Sequence, residues 1–215
     1  AGASAPFTEP FPRRSEYDVT NTVRVSSVDA VREAVGDLFA IACPGASFDS
    51  LWMAFHDFRR LFRGQFEGYV GCDTLYHDQQ HSLDVTLAVA RLLAGYQQSC
   101  AVADRLGVER TVTGLVCALF HDSGYIRRTA ERNRNGAEFT PCHIARGAEF
   151  LVSYLPRIGL GTSVAAARQI VHFTGYEVSF DDIELDDPRD SLVGHLLGTG
   201  DMLAQMADRC YLEKC

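Results

Sequence analysis

The feature that most constrains the fold is an apolar run, Val112–Phe120, that ends in the pair His121-Asp122 and a glycine, Gly124. Such a run is typical of a helix that is buried on nearly all sides, and the glycine marks its end. A carboxylate at the end of a buried helix needs a cation or a hydrogen-bond partner, because burying it alone is costly. Imidazole and carboxylate groups both bind divalent metals, so the pair is a candidate metal site.

Apolar residues recur at helical spacing along most of the chain, and strand signals are few. We therefore predict an all-α fold, a compact bundle of about eight helices. Residues 1–26 are expected to form an irregular N-terminal arm, and residues 27–215 a single helical domain. The predicted helices cover about 27–42, 49–62, 78–99, 109–121, 141–155, 162–173, 191–197 and 201–212, with Thr140 as the cap of the fifth and a break at Gly198-Thr199-Gly200 between the last two.

Composition and charge exclude several classes of partner. The chain has 215 residues, 47% of them hydrophobic, and a net charge of −8. That charge argues against nucleic acid and anionic membranes as partners. No apolar run approaches the length of a membrane span. The seven cysteines are odd in number and include no Cys-x-x-Cys pair, so we expect free thiols and a cytoplasmic location.

Further potential metal ligands lie at predicted helix ends. His77 and His81 are four residues apart where the long third helix opens, so both can lie on one face. Asp84 follows His81 by three residues and can accept a hydrogen bond from its ring, which would fix the tautomer. His56 and His195 are assigned no ligand role. The other candidates, each near a predicted helix terminus, are His143, His172 and Asp201, which we expect to start the last helix.

The ordered series of a histidine, a His-Asp pair, further histidines and a late aspartate resembles the HD-domain superfamily of metal-dependent phosphohydrolases. The segment Tyr76-His77-Asp78-Gln79-Gln80-His81 also resembles the Tyr-His-Asn-x-x-His signature of the cyclic-nucleotide phosphodiesterases. The similar region spans about residues 76–212. This resemblance implies a compact helical bundle that binds one or two divalent metal ions, of manganese, iron, zinc, cobalt or magnesium.

The resemblance also implies roles for single residues. Asp122 would bridge two metals and His77 would protonate the leaving oxygen. The ligands of the first metal would be His81, His121, Asp122 and Asp201, and those of the second would include His143 and His172.

The chain also departs from these families. Position 78 is Asp instead of Asn, no second histidine follows Asp122, and His172-Phe173 stands where the HD-GYP branch has a His-His pair. These departures leave the substrate open.

An arginine-rich segment follows the His-Asp pair, with four arginines between residues 127 and 134 of an otherwise acidic chain. Arginine forks match phosphate oxygens in a bidentate way. We expect Arg128, Arg132 and Arg134 to bind a substrate phosphate as part of a mobile lid. The alternative is a solvated loop without a role in binding.

The favoured function is a metal-dependent phosphohydrolase that acts on a nucleotide or another small phosphoester with a metal-activated water. A first alternative is an HD-type di-iron oxygenase, which would use the same ligands to activate oxygen. A second alternative is a non-catalytic signalling module that binds a metal and a nucleotide.

Overall fold

The computed structural model describes residues 15–214, with side chains to residue 212. Within that range it contains α-helices joined by short 3-10 helices and no β-strand, so the predicted all-α fold is confirmed. Seven helices have seven or more residues and an eighth has four, close to the predicted eight. The helices are α1 (Val28–Ala42), α2 (Asp49–Phe62), α3 (Gln79–Ser99), α4 (Gly107–Phe120), α5 (His143–Tyr154), α6 (Val164–Ile170), α7 (Pro188–Ala207) and α8 (Tyr211–Lys214).

The described part of the predicted N-terminal arm, residues 15–26, is irregular and lies against α3. Buried Asp18 accepts hydrogen bonds from the backbone N–H groups of Thr22 and Val23, at 2.9 and 2.8 Å. It also pairs with Arg91 of α3 at 2.7 Å. Burial raises the pKa of Asp18, but a hydrogen bond from the Thr20 hydroxyl and the bonds above outweigh it and hold the pKa far below its ordinary value. Residues 1–14 lie outside the described range.

Helices α3 and α4 form the centre of the bundle. Helix α3 packs against α1, α4 and α7. Every residue of α4 from Thr111 to Phe120 is buried. The polar pair that follows the helix is therefore placed in the interior. The hydrophobic core is continuous from α1 to α7. The start of α3 and the end of α4 are therefore held by rigid packing on several sides.

The predicted break at Gly198-Thr199-Gly200 is wrong, because α7 continues through these residues without interruption. A Cβ atom at Gly198 would lie 2.5 Å from the carbonyl oxygen of Phe173, and one at Gly200 would lie 2.4 Å from Cγ2 of Val89. These glycines are therefore needed for close packing instead of for a turn. Consequently Asp201 lies within a continuous helix and does not start one.

The start of α5 also differs from the prediction. Pro141 lies in a preceding 3-10 helix, Gly136–Cys142, and Thr140 does not cap α5. The N-terminal N–H groups of α5 instead donate to the carboxylate of Glu177, from Ile144 at 2.8 Å and Ala145 at 3.0 Å. A carboxylate at this position suits the positive end of the helix dipole. The cap is supplied from 33 residues away, which local sequence patterns do not reveal.

Two further expectations concern the cysteines and the absence of membrane-spanning helices. The six cysteines between residues 15 and 214 are all free thiols, in line with the prediction of no disulfide framework. No helix in the described range combines the length and the apolar composition needed to cross a membrane.

Candidate metal centre

The His121-Asp122 pair lies where α4 gives way to a 3-10 helix, His121–Tyr125. The Nδ1 atom of His121 lies 2.8 Å from the carbonyl oxygen of Ala118 and must donate to it. Its Nε2 atom therefore faces the interior and the carboxylate of Asp122. Both side chains are about 2% exposed. The turn is tight because Gly124 packs on α5, where an added Cβ would overlap the carbonyl oxygen of His143.

The start of α3 brings two more imidazoles to this pair. Asp78 caps the helix by accepting a hydrogen bond from the N–H of His81 at 3.0 Å, which fixes the first turn. His77, just before the cap, has its Nδ1 atom 3.0 Å from Oδ2 of Asp122. The Nε2 atom of His81 lies 3.6 Å from the same oxygen. Three histidines, including His121 at 3.2 Å, thus converge on one carboxylate oxygen.

Asp201 closes the group from α7. Its Oδ1 atom lies 3.2 Å from Nε2 of His81 and 3.9 Å from Nε2 of His121. Gly200 allows this approach, because α7 packs tightly on Val89 of α3 at that residue. Gln205, one turn later, donates from Nε2 to Oδ1 of Asp201 at 3.1 Å. The carboxylate of Asp201 is therefore oriented from two sides.

Electrostatics couple the members of the group. Burial lowers the pKa of His121, but the negative charges of Asp122 and Asp201 outweigh it and raise that pKa to about 9. Burial raises the pKa of Asp122, yet His121 and His77 hold it well below its usual range. The pKa of Asp201 is lowered in the same way by His81 and His121, against its burial. The metal-free group is thus charged, with buried carboxylates balanced by imidazolium.

These donor atoms fit a divalent metal. Two sets of three ligand atoms lie within 4.8 Å of one another, His77 with His81 and Asp122, and His81 with His121 and Asp201. Ligands bound at about 2.1 Å to one ion are separated by roughly 3 to 4 Å, which matches the distances above. The Nε2 atoms of His81 and His121 are buried and lie 3.2 Å from carboxylate oxygens of Asp201 and Asp122, but make no hydrogen bond of ordinary geometry with them. Such atoms are rare in native proteins and call for a ligand. The group could therefore hold a metal ion.

The predicted second metal site is less compact. His143 donates from Nδ1 to the carbonyl oxygen of Thr140 at 2.8 Å, and its ring centre lies 6.0 Å from that of His77. His172 lies in the 3-10 helix that follows α6, with a buried Nδ1 that has no hydrogen-bond partner. Among the described residues neither histidine joins a set of three ligand atoms within 4.8 Å. Their role as ligands stays a prediction.

Among the described residues, Asp84 and the three arginines belong to neither set of three ligand atoms. Asp84 lines a crevice together with Asp18 and Ala204. The three arginines bind within or next to their own loop: Arg128 pairs with Glu149 at 2.7 Å, Arg132 donates to the carbonyl of Thr129 at 3.3 Å, and Arg134 pairs with Glu138 at 3.1 Å. Their predicted binding of substrate stays a prediction.

Two residues that the sequence interpretation left without a role contact the site. Tyr125 stacks on His77, with ring centres 4.2 Å apart, and on His143, with ring centres 4.4 Å apart. Glu177, besides capping α5, lies 3.4 Å from Nδ1 of His143. The position of Tyr125, three residues after Asp122, was an available signal. No local signal indicated Glu177.

Comparison of the chain with models of protein families, with curated proteins and with solved structures finds no match. Its function is therefore inferred from the geometry and chemistry of the site.

Proposed function

We propose that the protein is a metal-dependent phosphohydrolase of the HD-domain type, acting on a nucleotide or another small phosphoester. The observation that carries this proposal is the pair of buried Nε2 atoms, of His81 and His121, which face two carboxylates at 3.2 Å without a hydrogen bond of ordinary geometry. Burial of such groups without a ligand is costly, and a divalent cation would use all of them.

His81, His121, Asp122 and Asp201 would hold the first metal, with His143 and His172 as further ligands of a second. A mixed set of nitrogen and oxygen ligands without thiolate suits manganese, iron, zinc, cobalt or magnesium. When bound, such an ion supplies positive charge for the phosphoryl oxygens and lowers the pKa of a water ligand.

His77 is the candidate general acid. Its Nδ1 atom contacts Oδ2 of Asp122 at 3.0 Å, so the carboxylate can accept a hydrogen bond from this side of the ring. The Nε2 atom is then free to donate a proton to a leaving oxygen. Of the histidines in contact with Asp122, His77 is the most exposed, at 29%, so a substrate can approach it. Stacking on Tyr125 at 4.2 Å restricts its ring to one orientation.

Arg128, Arg132 and Arg134 are the candidate phosphate-binding side chains. The ion pairs of Arg128 and Arg134 are each about half exposed. Exposed pairs of this kind contribute little, about 0–1 kcal/mol, so a substrate phosphate can replace their carboxylate partners. The free thiols suit a reducing compartment, and we propose a cytoplasmic location on that basis.

The test begins with metal content. Protein stripped with a chelator is titrated with Mn²⁺, Fe²⁺, Zn²⁺, Co²⁺ and Mg²⁺, and each form is then assayed against phosphomonoesters and phosphodiesters. We expect metal binding and hydrolysis in the wild type and in His56→Ala, whose exposed ring stacks on Trp52 on α2. We expect neither in Asp122→Asn.

The alternatives predict other outcomes. Oxygen consumption by the iron form without phosphoester hydrolysis would indicate the di-iron oxygenase. Tight nucleotide binding without turnover for any metal would indicate a signalling module. Absence of metal binding in the wild type would overturn the whole proposal.

A further inference from the structure

The ring of Tyr125 contacts two histidines that have separate places in the candidate site. It stacks on the imidazole of His77, with ring centres 4.2 Å apart and planes inclined by 18°. It also stacks on the imidazole of His143, with centres 4.4 Å apart and planes inclined by 25°. The centres of the two imidazoles are 6.0 Å from each other. Stacked aromatic rings attract each other beyond the effect of the apolar area that they bury, so one side chain holds both imidazoles.

The main chain that carries Tyr125 is itself held on both sides. The carbonyl oxygen of the preceding residue, Gly124, accepts a hydrogen bond from Nε of Arg146 on α5 at 2.8 Å. The N–H of the following residue, Ile126, donates to the carbonyl oxygen of Ser123 at 3.0 Å. Tyr125 is buried in the interior. A buried ring on a turn that is fixed in this way has little freedom to move, and it can serve as a rigid support.

His77 depends on such a support because it precedes α3 and lies outside any helix. Its carbonyl oxygen accepts a hydrogen bond from the hydroxyl of Thr74 at 2.7 Å, which holds its main chain. Its imidazole is anchored at one nitrogen, by the contact of Nδ1 with Asp122 at 3.0 Å. A ring that is held at one nitrogen can still tilt about that contact. Stacking of its face on Tyr125 removes this freedom.

His143 is held in the same manner. Its Nδ1 atom donates to the carbonyl oxygen of Thr140 at 2.8 Å and lies 3.4 Å from the carboxylate of Glu177. Both contacts are at one nitrogen, so they too leave the tilt of the ring to be fixed by Tyr125. In His77 and in His143 alike, Nε2 is the nitrogen that these contacts do not engage. The ring of Tyr125 therefore sets the direction of both Nε2 atoms.

We propose that Tyr125 is a positioning residue, whose ring fixes the imidazoles of His77 and His143 relative to each other. The roles of the two histidines, as proton donor and as ligand of a second metal, rest on the proposed function, whereas their stacking does not. A proton donor acts on an oxygen only within hydrogen-bond distance. Displacement of a catalytic group by about 1 Å can lower a rate about a hundredfold. Because one ring contacts both histidines, its removal disturbs both at once.

NMR spectra of the metal-free protein test the stacking without any hydrolysis. The ring current of an aromatic side chain shifts the ring protons of an imidazole stacked on it upfield. We expect upfield ring protons for His77 and His143 in the wild type and in Tyr125→Phe, which keeps the ring. In Tyr125→Leu, which lacks the ring, these protons should move to the positions of an unstacked histidine. The matched control is Trp52→Leu on α2, which removes the ring that stacks on His56 and should move the protons of His56 alone.

Three results of these spectra would overturn the proposal. The first is unstacked positions for the ring protons of His77 and His143 in the wild type, a result that does not depend on the folding of any variant. The second is identical positions in the wild type and in Tyr125→Leu. The third is a spectrum of Tyr125→Phe that matches that of Tyr125→Leu, because the hydroxyl group and not the ring would then hold the imidazoles.

Kinetics of the metal-loaded protein separate the positioning role from the proposed function. Tyr125→Leu should lower kcat for a phosphoester about tenfold or more and leave KM nearly unchanged, because the proton donor is misplaced while the phosphate contacts remain. Tyr125→Phe should restore kcat, and Trp52→Leu should not affect it. Wild-type kcat in Tyr125→Leu, or an equal loss in Tyr125→Phe, would overturn the positioning role. Upfield ring protons of His77 and His143 in a protein that hydrolyses no phosphoester would support the positioning of the two rings and overturn the phosphohydrolase.

Discussion

The buried ligand group around Asp122 and the arginine loop at residues 127–134 follow one another in the chain but satisfy their polar atoms in opposite ways. In the ligand group, imidazole nitrogens of His81 and His121 are buried without hydrogen bonds of ordinary geometry. In the loop, Arg128 and Arg134 pair with carboxylates, and Arg132 donates to a backbone carbonyl. Arg128, Arg132 and Arg134 therefore have partners as they stand, although Nε of Arg127 in the same loop is buried without a hydrogen bond, whereas the imidazole nitrogens of the ligand group would gain a well-placed partner from an added cation.

This difference in the pairing of polar atoms indicates how each region can accept a ligand. A polar atom buried without a partner costs about 1–3 kcal/mol, so the ligand group gains directly when a cation binds. The exposed ion pairs of the loop contribute little, so it can exchange partners at small cost. We expect changes in the first region to abolish metal binding and changes in the second to alter substrate affinity alone.

The largest effect is expected from Asp122→Asn. If this variant still bound metal, the contrast between the two regions would not hold. This substitution keeps the shape of the side chain but removes the charge on which His77, His81 and His121 converge. We expect metal affinity to fall by at least a thousandfold and hydrolysis to disappear. Metal titration monitored by calorimetry measures the first and a phosphoester assay the second. Wild-type affinity in the variant, with His56→Ala as the unchanged control, would show that Asp122 is not a ligand.

The second prediction concerns pH. The carboxylates of Asp122 and Asp201 outweigh burial and raise the pKa of His121 to about 9, so below that pH a metal must displace a proton. Metal affinity should therefore rise from pH 6 to pH 9, by up to about tenfold per unit for one proton. A flat affinity profile, measured by calorimetry over this range, would contradict the assigned ligand role of His121.

The same proton affects the stability of the metal-free protein with the opposite sign. A histidine whose folded pKa is raised stabilises the fold below its ordinary pKa of 6.5, and this contribution is lost as the pH rises to about 9. Thermal unfolding of the metal-free protein should thus show a falling Tm between pH 6.5 and 9. Asp122→Asn should flatten the change, because the main opposing charge is gone.

The third prediction concerns the arginines of the loop. Combined replacement of Arg128, Arg132 and Arg134 by Ala should raise KM for a phosphoester about tenfold or more, because the candidate phosphate contacts are lost. Metal affinity should be unchanged, since the three side chains bind within or next to their own loop. If KM also stayed at its wild-type value, the loop would have a structural role only.

Much of the fold could be predicted because helical spacing of apolar residues is a local property. The α4 run and its terminal His121-Asp122 pair are examples, since apolar packing alone fixes where they lie. The predicted break in the middle of α7 is wrong for a physical reason. Gly198 and Gly200 are typical of a turn in sequence, but here their missing side chains allow contact with Phe173 and Val89, two residues on other segments.

The candidate site was predictable in its residue types and less so in its geometry. His77, His81, Asp122 and Asp201 carry recognisable ligand chemistry, and the structure brings them together. The contributions of Tyr125 and Glu177 depend on how separate segments pack, by ring stacking and by capping of α5. The closeness of Tyr125 to Asp122 in the sequence indicates only that it lies near the site, and nothing local indicates Glu177, so the assembled fold is needed to reveal both contacts.

The smallest effect is expected from Glu131→Gln, which tests the least exposed ion pair of the arginine loop. Arg146 of α5 donates to both carboxylate oxygens of Glu131, at 2.9 and 2.8 Å, and lowers its pKa from 4.5 to about 2. The stabilisation is present above pH 4.5 and lost as the pH falls towards 2. We expect Glu131→Gln to lower Tm by about 2–4 °C at pH 7, corresponding to about 1 kcal/mol, with metal affinity unchanged.

The matched control, Glu149→Gln, removes the more exposed partner of Arg128 and should change Tm by less. If Glu131→Gln and the wild type had the same Tm at pH 7, the pair between Glu131 and Arg146 would contribute nothing measurable to stability. The loop would then not be fixed to α5 through Glu131.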